Sequence, residues 1–244
     1  MTNVIGSYGY GSKAREQKST AKRLYDELFA IPANNNNQFP NAHHQPITGI
    51  FNVVATVNYD LVLEIYNKSR FLKRRGLKDE DGVDVLKIQE IIQGDVNPEY
   101  IKLHGSIDWW LTEQGTIVRS LEKDNPFEVL TDRTMIYPIY EKFVSKDPFF
   151  ALYQYFRKML FREDILIVIG FSFRDPSINN AFADWLSARP SSRLLIVASE
   201  RNQNTIRAIF NNSPRIQFVN TYFGQNGFIN SLQDVLTNPI PILD

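Results

Sequence analysis

Residues 165–176 read Ile-Leu-Ile-Val-Ile-Gly-Phe-Ser-Phe-Arg-Asp-Pro, and this stretch decides the fold. Ile165 to Ile169 is a continuous apolar run, the pattern of a strand buried on both faces of a parallel sheet. It breaks at Gly170, and Asp175-Pro176 then supplies a helix cap followed by proline at the first helical position. Ile178, Phe182, Trp185 and Leu186 recur at helical spacing and predict the buried face of that helix.

Downstream the same alternation repeats. Leu194 to Ala198 predicts a strand, Asn202 to Asn211 a helix, Ile216 to Val219 a strand and Phe228 to Leu236 a final helix. Upstream, Asp147-Pro148 opens a helix whose stripe is Phe149, Leu152, Tyr153, Phe156 and Leu160. Further back, Phe51 to Val57 predicts a strand that stops at Asn58-Tyr59-Asp60, and Leu61, Val62, Ile65 and Tyr66 lie on the face of a following helix. Tyr100 to Leu103 predicts a short strand ending at His104-Gly105. Strands alternating with helices predict an α/β fold, a Rossmann-like parallel sheet with helices on both faces, in which ligands bind beyond the carboxyl ends of the strands.

Two segments interrupt that pattern. Residues 73–98 are polar and charged, with Val85, Ile88, Ile91 and Ile92 suggesting a short helix inside a surface excursion, and residues 108–120 predict a hairpin around Gly115. Residues 1–45 form a fringe, in which Ala21, Leu24, Tyr25, Leu28 and Phe29 mark one helix before the Asn-rich run at 34–37. The division expected is therefore an N-terminal segment over 1–45, a main domain over 46–236 and a tail over 237–244.

Composition bounds the chemistry. The chain has 244 residues, 43% hydrophobic and 22% charged, with 27 basic and 27 acidic side chains and no cysteine. A chain of this size buries a substantial core without staples. Lacking cysteine, it has no disulfide, thiolate nucleophile or cysteine-ligated zinc. Zero formal net charge provides no global field for nucleic acid. The basic residues Arg70, Lys73, Arg74 and Arg75 read better as a solvated helix end. No apolar run approaches the ~18 residues of a spanning helix, and the N-terminus has no signal core, so the expected location is cytoplasmic.

In a parallel sheet the residues directly after the strands hold the chemistry: Asn58-Tyr59-Asp60, His104-Gly105-Ser106, Gly170-Phe171-Ser172 and Ser199. His104 stands apart because the other two histidines, His43 and His44, share one loop. A strand-end histidine can take a proton from a sugar hydroxyl, and the adjacent Gly105 would let a ligand approach the backbone. It can equally serve packing by bonding a nearby carbonyl. Asn58 could orient a hydroxyl or a water, or be a turn residue. Asp60 suits a helix cap, and Gly170 and Ser172 could bring backbone amides to a phosphate.

In order along the chain, Ala55-Thr56-Val57-Asn58-Tyr59-Asp60, Lys102-Leu103-His104-Gly105-Ser106, Ile136-Tyr137-Pro138 with Lys142 and Pro148 beyond it, and Gly170-Phe171-Ser172-Phe173-Arg174-Asp175 resemble the SIR2-like NAD-binding family, and most closely its prokaryotic anti-phage branch. The resemblance covers residues 45 to 225. It implies a Rossmann-like sheet binding NAD as substrate, with the nicotinamide ribose between Asn58 and His104 as the catalytic pair. The residues expected to bind the nucleotide are Thr56, Asp60, Gly105, Gly170, Ser172, Asp175 and Ser199. Of these, Gly170, Ser172 and Ser199 match the family's contacts to the adenosine half. The defence branch lacks the zinc module of the protein deacylases and hydrolyses NAD to ADP-ribose and nicotinamide. A cysteine-free chain fits that branch, and no metal is expected.

One feature departs from the family. Its members begin with a strand ending in a glycine loop that cradles the diphosphate, whereas the glycine-rich residues 6–12 follow only Met1 to Ile5. The expectation is that this strand is missing, either lost or degenerate. Backbone hydrogen bonds to a charged oxygen contribute roughly 1.5–3 kcal/mol each, so nucleotide binding would be weakened. The resemblance therefore leaves two functions open. One is an NAD hydrolase of anti-phage defence. The other is a non-catalytic module that senses NAD or ADP-ribose, acting as a homo-oligomer or with a partner such as a HerA-like ATPase. Neither membrane nor nucleic acid is an expected direct partner.

Overall fold

The computed structural model describes residues 53–61, 77–80, 83–98, 100–113, 116–119, 130–136, 147–198, 200–220 and 228–237. Ten strands and five helices lie within them. The strands are β1 Val54–Thr56, β2 Leu77–Glu80, β3 Val83–Leu86, β4 Tyr100–Lys102, β5 Gly105–Thr112, β6 Ile117–Arg119, β7 Leu130–Met135, β8 Ile165–Ile169, β9 Arg193–Val197 and β10 Ile216–Val219. The helices are α1 Ile88–Gln93, α2 Phe149–Leu160, α3 Pro176–Ala188, α4 Glu200–Ile209 and α5 Phe228–Thr237. The expected N-terminal helix, the helix after Asp60 and the basic run at 70–75 lie outside the described residues.

The fold is α/β with parallel sheets. β1 pairs with β4, and β8, β9 and β10 form a sheet ordered β10-β9-β8, every pairing parallel. Side-chain alternation puts helices on both faces of the second sheet. Leu194 and Ile196 of β9, Val168 of β8 and Ile216 of β10 join the core that includes α2, α3 and α4. Val197 and Val219 point the other way, onto Leu232 of α5, with Ile167 and Ile169 packed alongside. The period of two along each strand thus serves two helical layers.

The continuous burial expected of 165–169 belongs instead to β9. Only Val168 of β8 is buried, whereas Leu194, Leu195, Ile196 and Val197 all are. The middle strand of three has neighbours on both edges and helices on both faces, while β8 borders the described part of this sheet.

Larger corrections concern the two interruptions. Val85 is a strand residue, not part of a helix: β2 and β3 pair antiparallel, with Glu80 opposite Val83, and only α1 is helical. Asp81-Gly82 between them is a strong hairpin signal that outweighs the spacing of Val85. The 108–120 hairpin exists, with Trp110 opposite Val118, but it sits inside a five-stranded antiparallel sheet ordered β2-β3-β6-β5-β7. β7 is absent from the sequence reading because Asp132 and Arg133 break its apolar pattern. An edge strand tolerates such charges, and β7 borders the described part of this sheet.

Helix starts follow local chemistry. Asp175 caps α3, its Oδ1 accepting from the amides of Ser177 at 3.0 Å and Ile178 at 3.3 Å, with Pro176 at the first position. At α2 the capping position is Pro148, and Asp147 Oδ1 accepts from Ala151 N at 3.2 Å. Between these helices and the strands, Phe171, Phe173, Phe182 and Phe210 meet edge to face, and Trp185 Nε1 donates to Glu163 O at 2.9 Å. No described helix is long and apolar enough to cross a membrane.

The end of α3 is tied to the entry of β8. Arg189 donates to Phe161 O at 2.7 Å and to the carboxylate of Asp164, which also accepts from Ser191 Oγ at 2.8 Å. The Arg189 and Ser191 hydrogen bonds hold the Asp164 carboxyl below the ordinary value of 3.8. A lowered folded-state pKa contributes stability that is present above the ordinary value and lost as pH falls through the folded one. Asp164 is largely exposed, so the pair contributes at most about 1 kcal/mol. Asp164→Ala should therefore lower the urea midpoint modestly at neutral pH. The difference from wild type should vanish below the ordinary carboxylate range.

Candidate active site

Parallel pairing of β1 with β4 aligns two strand ends. Thr56 lies opposite Lys102, and Leu103 N donates to Thr56 O at 2.9 Å, so Asn58 and His104 each stand two residues beyond the same rung. Asn58 begins the turn, its amide donating to Thr56 Oγ1 at 3.1 Å, which leaves its half-buried side chain outside the ladder. Thr56 is thereby a turn-former with its hydroxyl engaged by backbone.

The turn is stitched to the strands that follow it. Tyr59 O accepts from Ile107 N at 3.0 Å and from Lys102 Nζ at 3.3 Å. Lys102 Nζ also donates to Asp60 O. Lys102 is 1% exposed, so its ammonium is enclosed and directed at backbone carbonyls. A buried cation needs such acceptors, and in meeting them it clamps the chain that carries Asn58. Tyr59 adds a second clamp through its hydroxyl, which donates to Ile136 O. Its ring faces that of His104 at 6.3 Å and a 35° tilt.

His104 is 4% exposed. Its Nε2 lies 2.9 Å from Asp175 Oδ2, joining the end of β4 to the turn after β8. Its carbonyl accepts from Ile136 N at 2.9 Å. His104 and Asp175 are thus joined side chain to side chain, and the β1–β4 pairing brings the turn from Thr56 to Asp60 to the same end of the strands.

Gly105 has a packing role besides the one expected. Its φ is +86°, and a Cβ there would lie 2.2 Å from Thr134 O and 3.0 Å from Met135 Cα. The missing side chain makes room for the β7 backbone. Gly170 differs: φ is +66°, a Cβ would meet nothing within 4 Å, and both Gly170 and Ser172 are exposed. That exposed turn leaves room for a ligand such as a dinucleotide to approach its backbone, whereas the first amides of α3 are already taken by Asp175 Oδ1. Ser199 lies outside the described residues, as do His43 and His44.

Lys102 and Asp108 are not among the site residues the sequence singles out, and Ser106 enters only with the strand-end run His104-Gly105-Ser106, yet all three are buried, at 1%, 1% and 0% exposure. A signal existed in Lys102, a lysine inside an otherwise apolar strand. Asp108 carries none, because its burial depends on the β5 pairings. Among the described residues no group of three or more His, Cys, Asp or Glu could hold a metal ion.

A family model described as a SIR2-like domain matches residues 52–219, a span that includes every strand end described above. No curated protein matches the sequence.

Proposed function

The chain belongs to the SIR2-like domain family, which ties it to NAD, and from that premise we propose that it is an NAD hydrolase of prokaryotic anti-phage defence. The observation that carries the reading is the parallel pairing of β1 with β4, whose last rung is followed two residues later by Asn58 on one strand and His104 on the other. The reaction breaks the C1′–N bond to nicotinamide and forms a C1′–O bond to water, giving ADP-ribose and one proton. Nicotinamide departs as a neutral base and needs no acid. The protein's task is to hold an oxocarbenium-like ribose and deliver water to it.

Asn58 has both donors and an acceptor, and in this reading it orients the ribose and the attacking water. His104 accepts a proton from a ribose hydroxyl, increasing electron density on the ring that bears positive charge. Lys102 and Tyr59 hold the Asn58 turn against β4 and β5. The exposed turn of Gly170 and Ser172 takes the phosphate-bearing part, with Ser172 and Ser199 toward adenosine. The protein acts in the cytoplasm, as a homo-oligomer or with a partner protein.

Nicotinamide release from NAD by the purified chain tests this directly. Asn58→Ala should reduce release by about 100-fold or more while the variant stays folded, because a misplaced water forfeits most of the benefit of orientation. Undiminished release by Asn58→Ala would remove Asn58 from the mechanism. Binding of NAD or ADP-ribose without any release would instead support a nucleotide-sensing module working with a partner such as a HerA-like ATPase.

A further inference from the structure

The geometry points to Asp175 as a positioning residue that holds His104 in one tautomer, with Nε2 carrying the proton and Nδ1 the lone pair offered to substrate. The inference rests on the hydrolase reading. Asp175 was expected to contact the nucleotide, but its two oxygens face inward. Oδ1 accepts the Ser177 and Ile178 amides, and Oδ2 faces His104 Nε2 at 2.9 Å. At 4% exposure it is sealed from solvent.

A carboxylate accepts hydrogen bonds and donates none, so in the neutral imidazole the nitrogen facing it is the one bearing hydrogen. The other nitrogen is then the acceptor. No other hydrogen bond to the ring is made among the described residues. The helix amides hold Asp175 in place while Asp175 holds the imidazole, so the α3 cap and the ring orientation are one structure. This also gives the turn after β8 two separate jobs: Gly170 and Ser172 face outward to ligand, and Asp175 faces inward to the histidine.

Asp175→Asn separates these roles. Asparagine caps helices as well as aspartate, so its carbonyl can keep the Ser177 and Ile178 amides. Its NH2 would then face Nε2 and demand a lone pair there, moving the proton to Nδ1. Long-range proton–nitrogen spectra of the 15N-labelled chain in mildly alkaline buffer read the tautomer without turnover. The His104 signal is identified by its loss in His104→Gln. Wild type should show His104 protonated on Nε2, and Asp175→Asn should show it protonated on Nδ1. Nicotinamide release should fall by about 100-fold or more in kcat with KM little changed, since wrong-tautomer effects reach this size.

A wild-type His104 protonated on Nδ1 overturns the inference, and so does an unchanged tautomer or unchanged release in Asp175→Asn. If Asp175→Asn does not fold, the wild-type tautomer decides alone. If wild type releases no nicotinamide, the hydrolase reading fails and the spectra still decide how Asp175 holds the ring.

Discussion

His104→Ala is expected to release nicotinamide from NAD about 100- to 10,000-fold more slowly than the parent chain, the range over which a positioned base contributes to catalysis. The loss should lie in kcat, because the phosphate-bearing part of the substrate would be held elsewhere, at the exposed turn of Gly170 and Ser172. A stability cost accompanies it. Removing the ring takes one donor from the buried Asp175 carboxylate, and a lost hydrogen bond to a buried charged group costs roughly 1.5–3 kcal/mol. Denaturation midpoints measured beside the kinetics separate the two effects. A variant that is still folded at the assay temperature and still turns over at wild-type rate would exclude His104 as the base.

The second large effect is structural. Gly105→Ala would put a methyl group 2.2 Å from Thr134 O, at a φ of +86° that an L side chain rarely adopts. Both partners in the clash are backbone, so neither can rotate away, and β5 must move from β7. We expect a cost on the order of 3–4 kcal/mol, combining overpacking with left-handed strain. For a domain of this size that corresponds to a fall in Tm of roughly 10 °C. Activity should fall further than stability alone dictates, because the neighbouring His104 O to Ile136 N bond binds the same two segments. Gly170→Ala is the matched control. It has positive φ but open space, so only the left-handed strain of about 1 kcal/mol remains. Equal losses in the two variants would show that strain, not the Thr134 contact, dominates at Gly105.

Most of the parallel architecture was legible in the sequence. The strand at 216–219, the Asp175-Pro176 helix start and the buried face of Ile178, Phe182, Trp185 and Leu186 all appear where local pattern places them. Each rests on neighbours within a few residues: apolar periodicity, a capping carboxylate, a proline with no amide to lose. The antiparallel sheet was mostly hidden. β7 carries charges at an edge, and Val85 falls at helical spacing with Ile88 and Ile91 by coincidence, although its pairing with Val118 makes it a strand residue.

The candidate site divides the same way. Sequence by itself determined that Asn58 and His104 would end strands, because strand ends are set by where an apolar run stops. Only the tertiary structure decided that the two follow the same rung, that Lys102 is enclosed by the Tyr59 and Asp60 carbonyls, that Gly105 yields to Thr134 and that Asp175 turns to His104. These are contacts between segments distant along the chain. Their chemistry is written in no local pattern, since a side chain's partner is fixed by the pairing of strands and not by the residues beside it.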